Sequence, residues 1–153
     1  GEKLYWQIRK MVLDHDDAND LLQNTFLKAW MNIDYFRGEA KLSTWLYKIA
    51  INECITFLNR QRMQNNVSID DTDVFLLECL KGDEYFDGDA AQMKLQKAIL
   101  TLPEKQRAVF NMKYFDDMKY EDMSEIFGTS VGALKASYHH AVKKVEEFLT
   151  KDI

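Results

Sequence analysis

Apolar residues return every three or four positions along almost the whole chain, the spacing that lines one face of an α-helix. Leu4, Ile8, Met11 and Val12 predict a first helix. Gly1 and Glu2 open it without a capping residue, which predicts a first helix that is longer in the parent protein; no signal peptide precedes it. Asp16 and Asp17 are placed to cap a second helix, with Asp20 favoured near its positive end and Leu22, Phe26, Leu27 and Trp30 as its apolar face. Tyr35-Phe36-Arg37-Gly38-Glu39 reads as a loop with a glycine break. Ser43 then caps a long third helix whose stripe is Leu46, Ile49, Ala50, Cys54, Phe57 and Leu58.

Further along, Leu95, Ala98, Ile99 and Leu102 mark a fourth helix. Pro103 suits the first turn of a fifth, where a missing N–H costs nothing, and Val109, Phe110, Met112 and Phe115 are its apolar residues. Asp116-Asp117 ends it. No stretch alternates with period two between hairpin turns, so the predicted fold class is all-α.

The sharpest local pattern runs from Tyr120 to Leu149. Met123, Ile126 and Phe127 define a short amphipathic helix, and Gly128 follows where the chain must turn. Thr129 or Ser130 caps the next helix, whose buried stripe is Leu134, Tyr138, Val142, Val145 and Leu149. The small Ser124, four before Gly128, lets the two helices cross closely, as a helix-turn-helix requires. From Val131 to Val145 there are three lysines and two histidines and no acid. That face suits phosphates and base edges, and it is equally the composition of a solvated helical hairpin. His139 and His140 are adjacent and point about 100° apart on a helix, which makes them poor joint metal ligands.

Charge sharpens the division of the chain. The 153 residues carry a formal net charge of −5, which taken whole speaks against nucleic acid as a partner. Residues 67–93 alone hold eight acids against one lysine, a net −7. The flanks are close to neutral, at +1 over residues 1–66 and +1 over residues 94–153. The reading is therefore two small helical domains, 1–66 and 94–153, joined by an acidic linker, 67–93. Val74, Phe75, Leu76, Leu77 and Leu80 within the linker predict a short helix or a docking patch that packs the two domains together. Cys54 and Cys79 form neither a disulfide framework nor a metal-ligand spacing, as in a reducing cytoplasm, and no apolar run approaches the ~20 residues of a membrane span. No nucleophile–base set, phosphate-cradling loop, cofactor motif or metal cluster is visible.

Between Phe36 and Met63, aromatic residues alternate with cations: Tyr35, Phe36, Trp45 and Tyr47 stand among Arg37, Lys41 and Lys48. Lys48, Asn52 and Arg60 recur at intervals of four and eight on a polar face. Such platforms stack single-stranded bases, while Trp45 fits a core position equally well.

Residues 17–30 (DANDLLQNTFLKAW) and 36–52 (FRGEAKLSTWLYKIAIN) resemble region 2 of bacterial sigma factors of the extracytoplasmic-function (ECF) group. Residues 100–146, from LTLPEKQRAVF to YHHAVKKVE, resemble region 4 of the same group. The resemblance covers both blocks in order and implies a two-domain sigma-70 family subunit of RNA polymerase, not an enzyme. It implies that Asp20, Gln23, Phe26 and Leu27 dock on the clamp helices of the polymerase β′ subunit. It places Phe36, Arg37, Lys41, Ser43, Trp45, Lys48, Asn52 and Arg60 at the promoter −10 element, with a flipped base held by the loop from Phe36 to Ser43. Ser130, Lys135, Ser137, His139, His140 and Lys143 fall at the −35 element, and region 4 meets the β flap. The group also implies an anti-sigma factor as partner. The acidic linker then has two readings, a stand-in for RNA phosphates in the exit channel or a solvated tether. Many relatives carry arginine at the positions of Ser137 and His140, so the −35 sequence is not carried over.

Two other classes remain at this level. An autonomous helix-turn-helix regulator with an N-terminal interaction domain predicts duplex binding without polymerase. A helical adaptor predicts no dependence of transcription on Lys135 or Asn52.

Overall fold

Seven α-helices and one 3-10 turn carry the described residues, with no strand among them. The computed structural model describes residues 2–38, 41–64, 76, 80 and 89–151. The helices are α1 (Glu2–Val12), α2 (His15–Met31), α3 (Leu42–Gln64), α4 (Ala90–Leu100), α5 (Glu104–Tyr114), α6 (Tyr120–Phe127) and α7 (Val131–Thr150), with the 3-10 turn at Ile33–Tyr35. Leu76 and Leu80 are also helical; the expectations for Val74, Phe75, Leu77 and most of the acidic stretch lie outside the described residues.

The first three helices pack on one another, with α2 against α3 and α1 against both. Leu4, Ile8, Met11 and Val12 of α1 are all buried, as their spacing predicts. The turn into α2 is tight: Leu13 takes a left-handed conformation (φ 65°) while its side chain is fully buried. That backbone costs a β-carbon-bearing residue about 1 kcal/mol or more, which burial of the leucine side chain offsets. The cap of α2 is Asp14, whose carboxylate accepts from the Asp17 N–H at 3.0 Å. Asp16 and Asp17 therefore sit in the first helical turn, and burial together with the neighbouring acids raises the Asp17 carboxyl above its ordinary value. Ser43 likewise falls inside the first turn of α3, which starts at Leu42.

The largest correction concerns the phase of α2. Its buried residues are Ala18, Leu21, Thr25 and Ala29, a stripe mostly of small side chains. Leu22 is half-buried, while Phe26, Leu27 and Trp30 point outward. Small residues let α2 lie close on α3, and the helix keeps its bulky side chains for another surface.

The second group follows expectation more closely. Asp89 caps α4, accepting from Ala91 N–H, so residues 90–93 of the acidic stretch are already helical. Pro103 is the N-cap of α5, one position before its first turn. The chain leaves α5 through Asp117 at φ 47°. Gly128 ends α6 in the left-handed conformation (φ 67°) that glycine adopts without penalty, and Ser130 caps α7 by accepting from Ala133 N–H at 3.1 Å.

The larger core is common to both groups. Ile8, Met11, Cys54 and Leu58 of the first join Leu100, Val109, Met112, Met123 and Ile126 of the second, with Leu76 and Leu80 among them at 0% exposure. A smaller cluster around Ala98, Phe110, Ala141 and Val145 binds α4, α5 and α7. Burial pushes the Cys54 thiol up to about 12, outweighing the Arg107 charge that acts to lower it. In a Cys79→Ser variant, Cys54 is accordingly expected to resist a thiol reagent at mildly alkaline pH and to react fully after denaturation. Prompt labelling of the folded protein, followed by absorbance, would contradict this placement.

Candidate nucleic-acid and protein interface

Phe26 (43% exposed), Leu27 (60%) and Trp30 (78%) form an outward ridge on α2. The buried residues of α2 are spaced by three and four, so the positions just beyond them in the helical turn must face away from the core. The ridge borders a groove of about 670 Å³, walled on the far side by Ile33, Leu42, Trp45 and Leu46 and edged by Gln23. Of the four predicted protein-docking residues, the structure brings Gln23, Phe26 and Leu27 together. Asp20 is exposed on the same helix and does not line the groove. Trp30, Ile33, Leu42 and Leu46 are the members that sequence reasoning missed. For Trp30 the missed signal was that an inward phase would bring four bulky residues onto a helix already carrying Ala18, Leu21 and Ala29 in register.

Trp45 resolves its two readings by position. It lies outside both core clusters, is half-buried, lines the groove with one part of its surface and meets the Phe36 ring at 5.1 Å, tilted by 36°. Phe36 follows the 3-10 turn, and Gly38 two residues on is left-handed (φ 73°). Arg37 and Lys41 are exposed. Ser43 lines a second hollow of about 350 Å³ with Lys3, Phe26, Leu46 and Tyr47.

On α3, Lys48, Asn52 and Arg60 are all exposed. Lys48 and Asn52 lie about 40° apart around the helix, with Arg60 about 80° further, so the row winds rather than forming one stripe. Thr56 and Asn59 are exposed along the same path and belong to this polar surface.

The helix-turn-helix has the predicted form. The Gly128 N–H donates to Ser124 O at 2.9 Å, and the Ser124 hydroxyl donates across the turn to Thr129 O at 2.5 Å. Ser124 is thus more than a small residue, since its hydroxyl ties α6 to the residue before the Ser130 cap. Leu134, Ala141 and Val145 face the core, with Tyr138 half-buried beside them. Burial, with Tyr120, Tyr114 and Asp117 adding to it, raises the Tyr138 phenol, which stays a neutral packing group. Lys135, His139, His140 and Lys143 are exposed and share an outward arc of about 140°. Ser137 falls outside that arc and is half-buried, so the structure separates it from the other four. Ser130 is engaged as the cap. The Lys135 ammonium lies 5.7 Å from the Tyr120 ring, which holds the lysine over the start of α6.

Between the two groups runs a polar seam. Gln7 donates to the Asp116 carboxylate, the Lys10 ammonium lies 3.9 Å over the Phe115 ring, and Arg107 donates to Met11 O at 3.5 Å. Burial lowers the Lys10 ammonium, opposed by Asp116, and the same acid adds to the burial that raises Tyr47. Lys41 pairs with Asp122 at 3.7 Å, and Arg62 pairs with Glu104. Among the described residues, no three of His, Cys, Asp and Glu converge to hold a metal ion, and no helix is long and apolar enough to cross a membrane.

Comparison with known proteins matches both groups. Residues 1–63 fit the family model described as Sigma-70 region 2, and residues 92–145 that of Sigma-70, region 4. The RNA polymerase sigma factor SigV of Bacillus subtilis (strain 168) is 30% identical over 141 residues, covering 92% of this chain and 81% of the relative. The ECF RNA polymerase sigma factor SigW of the same organism is 30% identical over 146 residues, 90% and 78% of the two chains. The RNA polymerase sigma-H factor of Pseudomonas aeruginosa is 26% identical over 155 residues, 96% and 80%. The fold is similar to that of the sigma factor RpoE solved with the anti-sigma factor NepR from Bartonella quintana, at TM-score 0.72 and 23% identity over 99% of this chain and 92% of that one. It is also similar to CnrH solved with the cytosolic domain of CnrY, at TM-score 0.67 and 20% identity over 98% and 82%.

Proposed function

The chain belongs to the ECF group of sigma-70 family RNA polymerase sigma factors, subunits of transcription initiation, and from that premise we propose how its residues divide the work. The α2 groove takes an apolar element of core polymerase, the β′ clamp helices, with Phe26, Leu27 and Trp30 as anchors and Gln23 at the rim. The observation that carries this is a large apolar ridge left uncovered while small residues of the same helix face the core. A regulator that worked without polymerase would leave that groove without an occupant.

Residues 1–66 and 94–153 then act as separate reading modules joined by 67–93. Phe36 and Trp45 offer ring surfaces for a base taken from the duplex at the −10 element. Unstacking a base costs a few kcal/mol, which stacking and enclosure must offset. Arg37, Lys41, Lys48, Asn52 and Arg60 meet the backbone around it. Lys135, His139, His140 and Lys143 enter the major groove of the −35 element, with Ser130 and the start of α7 toward a phosphate. Neither module carries much net positive charge, so each binds DNA weakly alone, and tethering both on polymerase raises the effective concentration of one contact given the other. The chain itself catalyses no step and acts in the cytoplasm beside the polymerase. The relatives solved with anti-sigma factors favour a similar restraint here, and the β flap is the second polymerase surface for the α4–α7 module.

Run-off transcription on a genomic fragment library, with purified core polymerase and with or without this protein, is the deciding experiment. Protein-dependent start sites are expected. Lys135→Ala should lower their use about 5- to 100-fold, the loss of one base or phosphate contact of about 1–3 kcal/mol, with binding to core unchanged. An absence of protein-dependent start sites would reject the proposal.

A further inference from the structure

The names of the two promoter elements set a length that the packed chain does not have. Positions 10 and 35 are roughly 25 base pairs apart, which at about 3.4 Å each is about 85 Å along the duplex. In the structure α6 packs on both α3 and α7. Packed helix axes lie about 8–10 Å apart, so the −10 helix and the recognition helix stand within about 20 Å of each other. A chain of 153 residues with a radius of gyration near 15 Å is only about 40 Å across. The packed form therefore reads one element at most.

The seam shows what this form does to the DNA-binding cations. Lys41, on the loop assigned to the −10 element, is paired with Asp122 of α6. Arg62, two residues beyond Arg60 at the end of α3, is paired with Glu104 in the first turn of α5. In both pairs the cation comes from the first group and the acid from the second. We propose that Asp122 and Glu104 act as internal competitors for promoter phosphate, an autoinhibitory contact that withholds Lys41 and Arg62 from DNA until polymerase separates the two groups. The inference rests on the sigma-factor reading for its biological sense, while the masking itself is a property of the free chain. Leu76 and Leu80, buried in the shared core, hold the acids and cations in register. The burial of Arg62 and Glu104 in the seam means that solvent screens their pair less than it screens the Lys41–Asp122 pair.

The test uses the free full chain and a fluorescein-labelled duplex with a single-stranded tail, titrated at several salt concentrations. Glu104→Gln/Asp122→Asn is compared with Glu146→Gln/Glu147→Gln, which makes the same charge change on exposed residues of α7. The seam variant should bind about two- to thirtyfold tighter than the parent chain, the range of two surface ion pairs. Its log affinity should fall more steeply with log salt, by about 1.8, as two further phosphates are neutralised. The α7 variant should match the parent slope. An unchanged slope in the seam variant, or the same steepening in both variants, would overturn the proposal. Transcription with core polymerase is measured separately for the parent chain: its failure would reject the sigma-factor reading and leave the slope comparison standing.

Discussion

Replacing Trp30 with alanine is expected to weaken binding to core RNA polymerase by about 30- to 1,000-fold, the range of a central aromatic anchor contributing about 2–4 kcal/mol. The same change should move the melting temperature by no more than about 2 °C, because surface substitutions cost within about 0.5 kcal/mol. Trp30 touches little of its own protein: it is the most exposed of the large apolar residues on α2 and borders the groove rather than the core. A purely structural tryptophan would show the opposite division, with stability falling and affinity following it. Affinity is read by competition against a labelled sigma factor for core polymerase, stability by circular dichroism. Undiminished binding would remove the groove as the docking site.

Leu76→Ala is expected to act in the reverse sense. Leu76 is fully buried in the core common to both groups, and truncation of a buried leucine costs about 2–5 kcal/mol. For a chain of this size that lowers the melting temperature by about 4–20 °C. Since the lost contacts lie between the groups, the parent chain should melt in one transition and the variant should broaden or split into two. Solution scattering should show a larger radius of gyration for the variant at temperatures where its helices remain. A melting curve and scattering profile that match the parent chain would mean that Leu76 does not join the two groups. Both outcomes bear on the autoinhibitory seam, since the ion pairs across it require the apolar core to hold them together.

The recognition helix and its turn were legible because local chemistry decides them. Gly128 is needed where the backbone turns left-handed, Ser130 supplies the oxygen that caps α7, and the lysines and histidines between Val131 and Val145 lie on the side opposite Leu134 and Val145. The burial of Leu4, Ile8, Met11 and Val12 was legible for the same reason, since one helical period places them on one face. Those signals need only the few residues on either side. The all-α class and the pair of blocks that identify the family were likewise present in the order of residues alone.

What the order of residues left open were choices between surfaces of similar composition. On α2, Leu22, Phe26, Leu27 and Trp30 make a more apolar face than Ala18, Leu21, Thr25 and Ala29, yet the second face is the buried one. Close approach of α3 favours small side chains, and that requirement comes from the partner helix. Ser137 was grouped with Lys135 and His139 by proximity in sequence, while the packing of α7 on α5 and α6 turned it toward the edge of the core. Leu76 and Leu80 could have faced solvent or either group, and only the assembled helices made the shared cavity they fill. Asp122 and Glu104 are ordinary surface acids in their own helices. They meet Lys41 and Arg62 because two groups of helices, each legible alone, pack through a core that neither contains by itself.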